Sequence, residues 1–243
     1  MPADFTNELK AFAKDQGADI VGIGDISRFD GAPKNWDPRY IMPEAKTIVG
    51  LAFRIHRGDL RGIEEGTGFG AYGVMGYSNI NNVHAPIVLR QLSSFIEDRG
   101  YESYNYGNGL PRATAGPSKP VRPGFPSPDV KLHFRIAGFI CGLGEIGYSK
   151  IFLTPEFGPR QRLQFLITDA PLDPDPVMEP GTICNKCMRC VKKCPGGAIS
   201  KDETVKVTVA GKQLEWGKID QYKCGLAWCT SSPDLNPWLN DEV

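Results

Sequence analysis

Four cysteines in one short stretch constrain this chain more than any other feature. Cys184, Cys187, Cys190 and Cys194 form the run C-x2-C-x2-C-x3-C, and Pro195 follows at once. Thiolates at this spacing can wrap one [4Fe–4S] cluster within a single loop, whereas structural zinc sites usually take their ligands from two separated pairs. The run therefore predicts an iron–sulfur site, and a protein that builds such a site carries electrons.

The chain is too long to be a cluster-binding unit alone. Its 243 residues are enough for one large domain and one small one. Lys plus Arg and Asp plus Glu both number 28, so the formal net charge is zero, and no long basic run is present. This balance argues against nucleic acid as a general electrostatic partner.

The sequence shows no sign of a membrane or export segment. No apolar stretch approaches the roughly 20 residues that span a bilayer. The first residues, MPADFTNELKAFAKD, contain neither a signal-peptide core nor a twin-arginine pair. We therefore expect a cytoplasmic protein without a membrane partner, in which the seven cysteines stay reduced and available as metal ligands.

Apolar residues recur at helical spacing in some segments and form short runs in others. The glycine-rich stretch from 57 to 79 has little periodic pattern, so we expect it to be irregular. The order of the elements favours an α+β fold over a regular βαβ repeat. The predicted helices are 5–14, 80–99 and 132–140, and the predicted strands are 18–23, 47–53, 163–168, 204–209 and 212–216.

Three glycines follow the pattern of a dinucleotide-binding turn. Gly142, Gly144 and Gly147 satisfy G-x-G-x-x-G. That turn must be followed by a helix, and Thr154-Pro155 leaves no room for one of useful length. We interpret the glycines instead as positions where the backbone comes close to something flat or bulky.

The chain resembles the cobalamin-dependent reductases, the group of reductive dehalogenases and epoxyqueuosine reductases, over roughly residues 70 to 225. The similar phrases are Tyr77-Ser78, the glycine segment 142–147, Leu153-Thr-Pro-Glu-Phe-Gly-Pro-Arg160 and the cysteine run. The resemblance implies a nitroreductase-like α+β domain that holds a corrinoid, here at residues 1–175. A small ferredoxin-like [4Fe–4S] domain would follow at residues 176–243.

The resemblance also implies which residues contact the corrinoid. The glycine segment would lie against its ring, and two arginines would bind its carboxamides or a phosphate, since a guanidinium is a rigid fork of donors. Surface charges are the alternative interpretation of the arginines. The implied cofactor-binding residues are Tyr77, Gly142, Leu143, Gly144, Gly147, Arg160 and Arg162.

Two tyrosines are candidates for proton donation. Tyr77 and Tyr148 carry phenols that would supply a proton next to a reduced metal centre, which makes them the implied catalytic residues. Ordinary packing at a domain seam is the alternative, because tyrosine is often half-buried with its hydroxyl bonded. The three histidines are isolated, and none is assigned to a metal.

The number of clusters is open. The superfamily commonly carries a second cluster, and Cys224 resembles its isolated ligand, with Cys229 shortly after it. Two clusters bound only by cysteine would need more than the seven cysteines of the chain. The predicted metal ligands are therefore the cysteine run together with Cys224 and Cys229, and the fourth ligand of each cluster stays undetermined.

The first hypothesis is a reductase. Electrons from an external low-potential donor of the ferredoxin or flavodoxin type would pass through the cluster to a corrinoid and on to a small-molecule substrate. The second hypothesis is an electron-transfer or activator protein that reduces the corrinoid or redox centre of a partner. A third is a flavin-binding reductase of the same fold, or a scaffold with no organic cofactor. The neutral charge weakens a tRNA substrate.

Overall fold

A computed structural model describes residues 2–68, 70–107, 119–128 and 130–227 of the chain. Within these ranges, no helix combines the length and the apolar character needed to cross a bilayer. The elements in chain order are α1 (Pro2–Asp15), β1 (Ile20–Asp25), β2 (Thr47–Arg54), α2 (Arg57–Glu64), a π-helix (Gly73–His84), α3 (Ala85–Glu97), β3 (Ser103–Tyr106), α4 (Phe134–Ile140), β4 (Glu145–Ile146), β5 (Phe152–Leu153), β6 (Gln161–Thr168), α5 (Arg189–Lys192), β7 (Ile199–Val209), β8 (Lys212–Ile219) and α6 (Gln221–Ala227).

The centre of the fold is a four-stranded antiparallel sheet with the strand order β1-β2-β6-β3. β2 and β6 lie in the middle, and Gly50 on β2 pairs with Phe165 on β6. Every residue of β2 except Arg54 is buried. The strands predicted from the apolar runs at 18–23, 47–53 and 163–168 are confirmed, with ends that differ by up to two residues.

Helices and loops cover both faces of this sheet. Leu9 of α1 and Leu92 of α3 lie in one apolar core with Leu166 of β6. Ile140 of α4 lies in a second core with Phe165 of β6. Phe165 and Leu166 point to opposite faces because successive side chains of a strand alternate. Burial on both faces explains why these strands are continuous apolar runs.

The stretch from 57 to 79 is largely helical, so the expectation of an irregular segment was wrong. α2 covers its beginning, and the π-helix covers its end. α2 has only two apolar side chains, Leu60 and Ile63, and two glycines, so its apolar pattern is too short to reveal a helix in the sequence. The helix predicted from residue 80 begins earlier, at Gly73, and continues into α3, where Pro86 lies in the first turn.

The cysteine run lies between this sheet domain and a long hairpin. β7 and β8 form the hairpin predicted from the sequence, and Trp216 of β8 joins the same core as α4. The connector before the run is bonded to the sheet domain, since Ile23 N donates to Asp175 Oδ2 at 2.8 Å and Lys10 Nζ donates to Asp175 Oδ1 at 2.6 Å. The mixed helix and strand content confirms the coarse fold class, and the two-domain division at residue 175 stays a prediction.

Candidate functional site

The cysteine run forms one partly exposed loop that leads into and out of the short helix α5. Its cysteines are free thiols. Lys186 and Met188 have positive φ angles of 52° and 59°, a left-handed conformation that residues other than glycine rarely adopt. The backbone therefore winds tightly between the first three cysteines, as a loop must do when consecutive thiolates hold one cluster.

Backbone N–H groups point at two of the sulfur atoms. Tyr148 N lies 3.3 Å from Cys184 Sγ, and Ala198 N lies 3.3 Å from Cys194 Sγ. Hydrogen bonds to cluster-bound sulfur are one of the means by which a protein sets the reduction potential of the cluster. Free thiols at this spacing, with N–H donors beside them, have the donor chemistry that fits an iron–sulfur cluster.

The predicted metal ligands do not converge on one point. Among the described residues, no three His, Cys, Asp or Glu side chains lie close enough together to hold a metal ion. Cys224 lies on α6, which packs beside the turn after Cys194, since a Cβ on Gly196 would lie 2.7 Å from Lys223 O. Cys194 and Cys224 are thus at the same end of the loop, whereas Cys229 lies outside the described residues. The complete ligand set stays a prediction.

Glu145 is a buried carboxylate beside the first cysteine; it lies within the glycine segment 142–147 but was not among the predicted site residues. Only 2% of the residue is exposed. Its Oε2 accepts from Gly181 N at 2.5 Å, and its Oε1 accepts from Ile183 N at 2.5 Å and also from Cys184 N. A cavity of about 230 Å³ opens between this carboxylate, Cys184 and β8.

The glycines of segment 142–147 bring the backbone close to other parts of the protein. A Cβ on Gly142 would lie 2.5 Å from Pro176 O, and a Cβ on Gly144 would lie 1.9 Å from Leu153 O. Leu143 is buried in the core. The chain's own atoms therefore account for the need for glycine at these two positions. The implied contact of the glycine segment with a corrinoid stays a prediction.

Arg162 is the centre of a second polar group, on the side of the π-helix. Its Nε lies 3.0 Å from Asn81 Oδ1, and its Nη1 lies 2.9 Å from Tyr72 Oη. Its guanidinium carbon lies 4.7 Å from the centre of the Tyr77 ring, which is a cation–π geometry. Tyr77 and Asn81 lie on the π-helix, a kind of element that is frequent at functional sites.

Arg135 of α4 adds another positive charge near this group, and the sequence pattern did not reveal it. Its side chain is exposed, yet desolvation by the surrounding protein lowers its pKa, and the charge of Arg162 lowers it further. Arg135 on α4 and Arg162 on β6 therefore lie close enough for their charges to interact, with Tyr72 and Tyr77 nearby.

Lys150 and His133 lie next to Arg135. Burial, and then the charge of Arg135, lower the pKa of Lys150. Burial, followed by the charges of Lys150 and Arg135, lowers the pKa of His133. In the described part of the chain, no carboxylate forms an ion pair with Arg135, Lys150 or Arg162. We call these three residues, together with His133 and Tyr77, the cationic cluster. Such a surface suits an anionic or strongly polarised group.

The structure separates the two tyrosines that were expected to donate protons. Tyr77 belongs to the cationic cluster and is 37% exposed. Tyr148 is 4% exposed, and its hydroxyl lies 3.0 and 3.2 Å from two carbonyl oxygens of β7, an arrangement that agrees with packing at a seam. The two arginines are also separated, because Arg160 donates to Ile55 O at 3.1 Å and only Arg162 reaches the cationic cluster.

The chain has sequence relatives in two groups of enzymes, although no protein-family model matches it. It is 33% identical over 106 residues to the tetrachloroethene reductive dehalogenase of Dehalobacter restrictus, a match covering 40% of this chain and 19% of that protein. It is 30% identical over 97 residues to the epoxyqueuosine reductase of Bacillus anthracis, covering 40% of this chain and 21% of that protein. The matches therefore span about a fifth of the curated relatives.

Solved structures of the same two groups share the fold. The catabolic reductive dehalogenase NpRdhA, in complex with 3-bromo-4-hydroxybenzoic acid, gives a TM-score of 0.65 at 20% identity and covers 100% of this chain and 33% of that chain. An epoxyqueuosine reductase in complex with a tRNA stem loop gives a TM-score of 0.52 at 18% sequence identity, and the match covers 80% of this chain and 52% of that chain. The tRNA stem loop belongs to that reductase, and the expectation that this chain has no nucleic-acid partner stays a prediction. The chain is therefore similar in part of its sequence to reductive dehalogenases and epoxyqueuosine reductases, and it shares their fold.

Proposed function

We propose that the chain forms the core of an iron–sulfur, cobalamin-dependent reductase that acts on a small-molecule substrate. The observation that supports this most directly is that one short segment, residues 148–150, joins the cysteine run to the cationic cluster. Tyr148 N contacts Cys184 Sγ, and Lys150, two residues further on, lowers the pKa of His133 and shares the cationic cluster with Arg135. One solved relative is described as a B12-dependent dehalogenase.

The chain's own residues would admit electrons at one site and deliver a proton at the other. A bound corrinoid would supply a low-potential cobalt centre for reducing the substrate. The cysteine run, carrying a cluster, would receive electrons from an external low-potential protein donor. The Tyr77 hydroxyl would give a proton to the substrate, and the nearby charges of Arg162 and Arg135 would stabilise the phenolate that remains.

The cationic cluster also favours one class of substrate. Its arginines and Lys150 have no carboxylate partner in the described residues, so a bound anionic group would gain electrostatic stabilisation there. The rings of Tyr72 and Tyr77 pack edge to face at 5.8 Å and form an apolar wall beside Arg162. We therefore propose a small organic substrate that carries a negative or strongly polarised group.

The electron-transfer or activator hypothesis also places a cluster at the cysteine run, and it differs from the reductase hypothesis in which protein holds the corrinoid. In that case the corrinoid would belong to a partner, and this chain would bind free cobalamin weakly. Titration of the anaerobically reconstituted protein with hydroxocobalamin, followed by absorption spectroscopy, distinguishes the two functions. We expect saturable binding with a changed cobalt spectrum. A wild-type protein that takes up iron and sulfide but leaves the cobalamin spectrum unchanged would remove the reductase proposal.

Turnover then tests the assigned residues. The reconstituted protein, a reduced low-potential donor and a panel of halogenated phenols and carboxylates would be assayed for loss of substrate. Replacing Arg135 by Met should weaken substrate affinity or rate by about tenfold or more, because one positive charge is lost from the site. Arg90→Met is the matched control, since Arg90 is exposed on α3, which packs on the other face of the sheet from α4.

A further inference from the structure

We infer that Glu145 is a positioning residue that fixes the backbone of the first cluster-binding cysteine, and that its negative charge helps to keep the cluster potential low. This inference rests on the proposed function, because it requires a cluster at the cysteine run. No comparison and no sequence motif assigns Glu145 a role. It is a buried charged residue that the proton and electron steps described above leave unused.

The carboxylate of Glu145 is surrounded by backbone donors. Both of its oxygens accept hydrogen bonds, Oε2 from Gly181 N and Oε1 from Ile183 N and Cys184 N. The donors come from one stretch of chain, so the backbone bends around the carboxylate just before the first thiol. In the described residues no Lys or Arg forms an ion pair with Glu145. Backbone N–H groups are therefore the only partners of this carboxylate among the described residues, beside the site proposed for the cluster.

The position of Glu145 is itself fixed by the fold. Glu145 pairs with Leu153 in the short β4–β5 ladder. The residue before it must be glycine, since a Cβ on Gly144 would lie 1.9 Å from Leu153 O. The carboxylate therefore sits on a rigid strand rather than on the loop that it organises. A rigid strand can hold a flexible loop in the geometry that a cluster needs.

The same segment holds the first cysteine at two points. Glu145 accepts the N–H of Cys184, and Tyr148 N donates to the Cys184 sulfur at 3.3 Å. The backbone N–H and the sulfur of Cys184 are therefore both bonded to the segment from Glu145 to Tyr148. Without the carboxylate, the N–H groups of Gly181, Ile183 and Cys184 would lose their partner in a partly buried place, and each loss lowers the stability of the loop.

Glutamine cannot replace this carboxylate fully. A carboxylate accepts hydrogen bonds at both oxygens, whereas an amide offers one oxygen and one NH2 group that donates. The NH2 group would therefore face a backbone N–H. Glu145→Gln also removes the negative charge while it keeps the shape of the side chain. A negative charge near a cluster opposes its reduction, so the neutral variant should have a more positive midpoint potential.

The experiment compares wild type with Glu145→Gln after anaerobic reconstitution. Iron and sulfide per chain, the rate of iron loss to a chelator, and the midpoint potential from a redox titration followed by electron paramagnetic resonance would be measured. We expect iron loss about tenfold faster, as for one hydrogen bond to a charged group, and a more positive midpoint potential. Glu215→Gln is the matched control, because Glu215 bonds the side chain of Lys186 in the same loop and accepts no loop N–H.

Each result decides the inference. A Glu145→Gln protein with the wild-type potential and loss rate would overturn it, and faster iron loss with an unchanged potential would overturn the part that concerns charge. Should that variant not fold, Glu145→Asp keeps the charge with a shorter reach, and we expect faster iron loss at the wild-type potential. A wild-type loss rate in Glu145→Asp would contradict the positioning role. A wild-type protein that binds no iron would instead refute the proposed function.

Discussion

The guanidinium of Arg162 lies 4.7 Å from the centre of the Tyr77 ring, so a permanent positive charge covers the phenol proposed as the proton donor. Arg162 is held there from two sides, by Asn81 on the π-helix and by the Tyr72 hydroxyl. The proposed active site is thus supported by strand β6 and the π-helix together. Rigid elements position reacting groups better than loops do.

Replacing the two tyrosines by phenylalanine should have different effects. Tyr77→Phe should lower the rate of substrate reduction by about a hundredfold or more, because the proton donor is lost. Tyr148→Phe should keep the rate and lower the free energy of unfolding by about 1 kcal/mol, because its hydroxyl bonds only carbonyl oxygens of β7 among the described residues. Single-turnover kinetics and denaturant unfolding measure the two effects. A slow Tyr148→Phe enzyme with wild-type stability would restore Tyr148 as a catalytic residue.

The stability of the protein should depend on pH through His133. Burial, and then Lys150 and Arg135, lower its pKa from the ordinary value of 6.5. The neutral ring also caps α4 by accepting from Ile136 N at 3.3 Å. The unfolded chain therefore binds a proton at His133 more readily than the folded chain. The free energy of unfolding should be highest above about pH 6.5 and should decrease as the pH falls through that value.

Urea unfolding at about pH 7.5 and about pH 5.5 measures this dependence. The difference between the two pH values should become smaller in His133→Gln, which cannot be protonated. His56→Gln serves as the control, because His56 is exposed at the N-cap position of α2. An equal pH dependence in wild type and His133→Gln would contradict the role of burial at this histidine.

An acidic electron donor should dock on the cysteine loop. The run contains Lys186, Arg189, Lys192 and Lys193 and no acidic residue. Lys192 and Lys193 are exposed and form no ion pair with any described residue. Replacing both by Glu should slow reduction by an acidic ferredoxin-type donor by about tenfold or more at low ionic strength, because electrostatic steering is lost.

Stopped-flow reduction at several salt concentrations tests the docking prediction. The wild-type rate should fall steeply with salt, and the rate of the double Lys→Glu variant should be nearly independent of it. Lys14→Glu is a control for net charge, because Lys14 is exposed on α1. Should Lys14→Glu slow the reaction as much as the double variant, the donor would not be binding at the cysteine loop.

Substitutions in the glycine segment 142–147 should lower the stability of the fold even when no cofactor is present. Gly144→Ala would place a Cβ 1.9 Å from Leu153 O, so we expect a loss of about 3 kcal/mol or more in the free energy of unfolding. Gly58→Ala is the control, since its Cβ would meet open space within α2 and should stabilise the helix by about 0.5–1 kcal/mol. Thermal unfolding of the protein without added cofactor measures both. Unchanged stability in Gly144→Ala, with weaker corrinoid binding, would favour a direct contact with the cofactor.

The parts that the sequence predicted have a local cause. The buried strands were visible because both faces of the sheet are covered, so Thr47–Arg54 is almost entirely apolar. The hairpin β7–β8 was visible from alternation around Ala210 and Gly211, both of which have positive φ. The dinucleotide pattern was correctly set aside, because the segment after Gly147 leads to strand β5 and not to a helix.

The parts that the sequence missed depend on contacts between distant residues. Arg135 and Arg162 are far apart in the sequence, and only the packing of α4 against β6 brings their charges together. Glu145 looks like an ordinary strand residue until the loop from Gly181 to Cys184 folds around it. α2 escaped notice because it is short, contains Gly58 and Gly62, and has only two apolar side chains, Leu60 and Ile63.

Metal analysis of the anaerobically reconstituted protein tests the central claim most directly. Iron, sulfide and cobalt would be counted per chain after incubation with iron, sulfide and hydroxocobalamin and removal of the excess, with electron paramagnetic resonance of the reduced sample. We predict about one cobalt per chain together with about four irons, or about eight if Cys194 and Cys224 take part in a second cluster. A protein that retains iron but no cobalt would be an electron carrier and not a corrinoid-dependent reductase. A protein that retains neither metal would contradict the whole account.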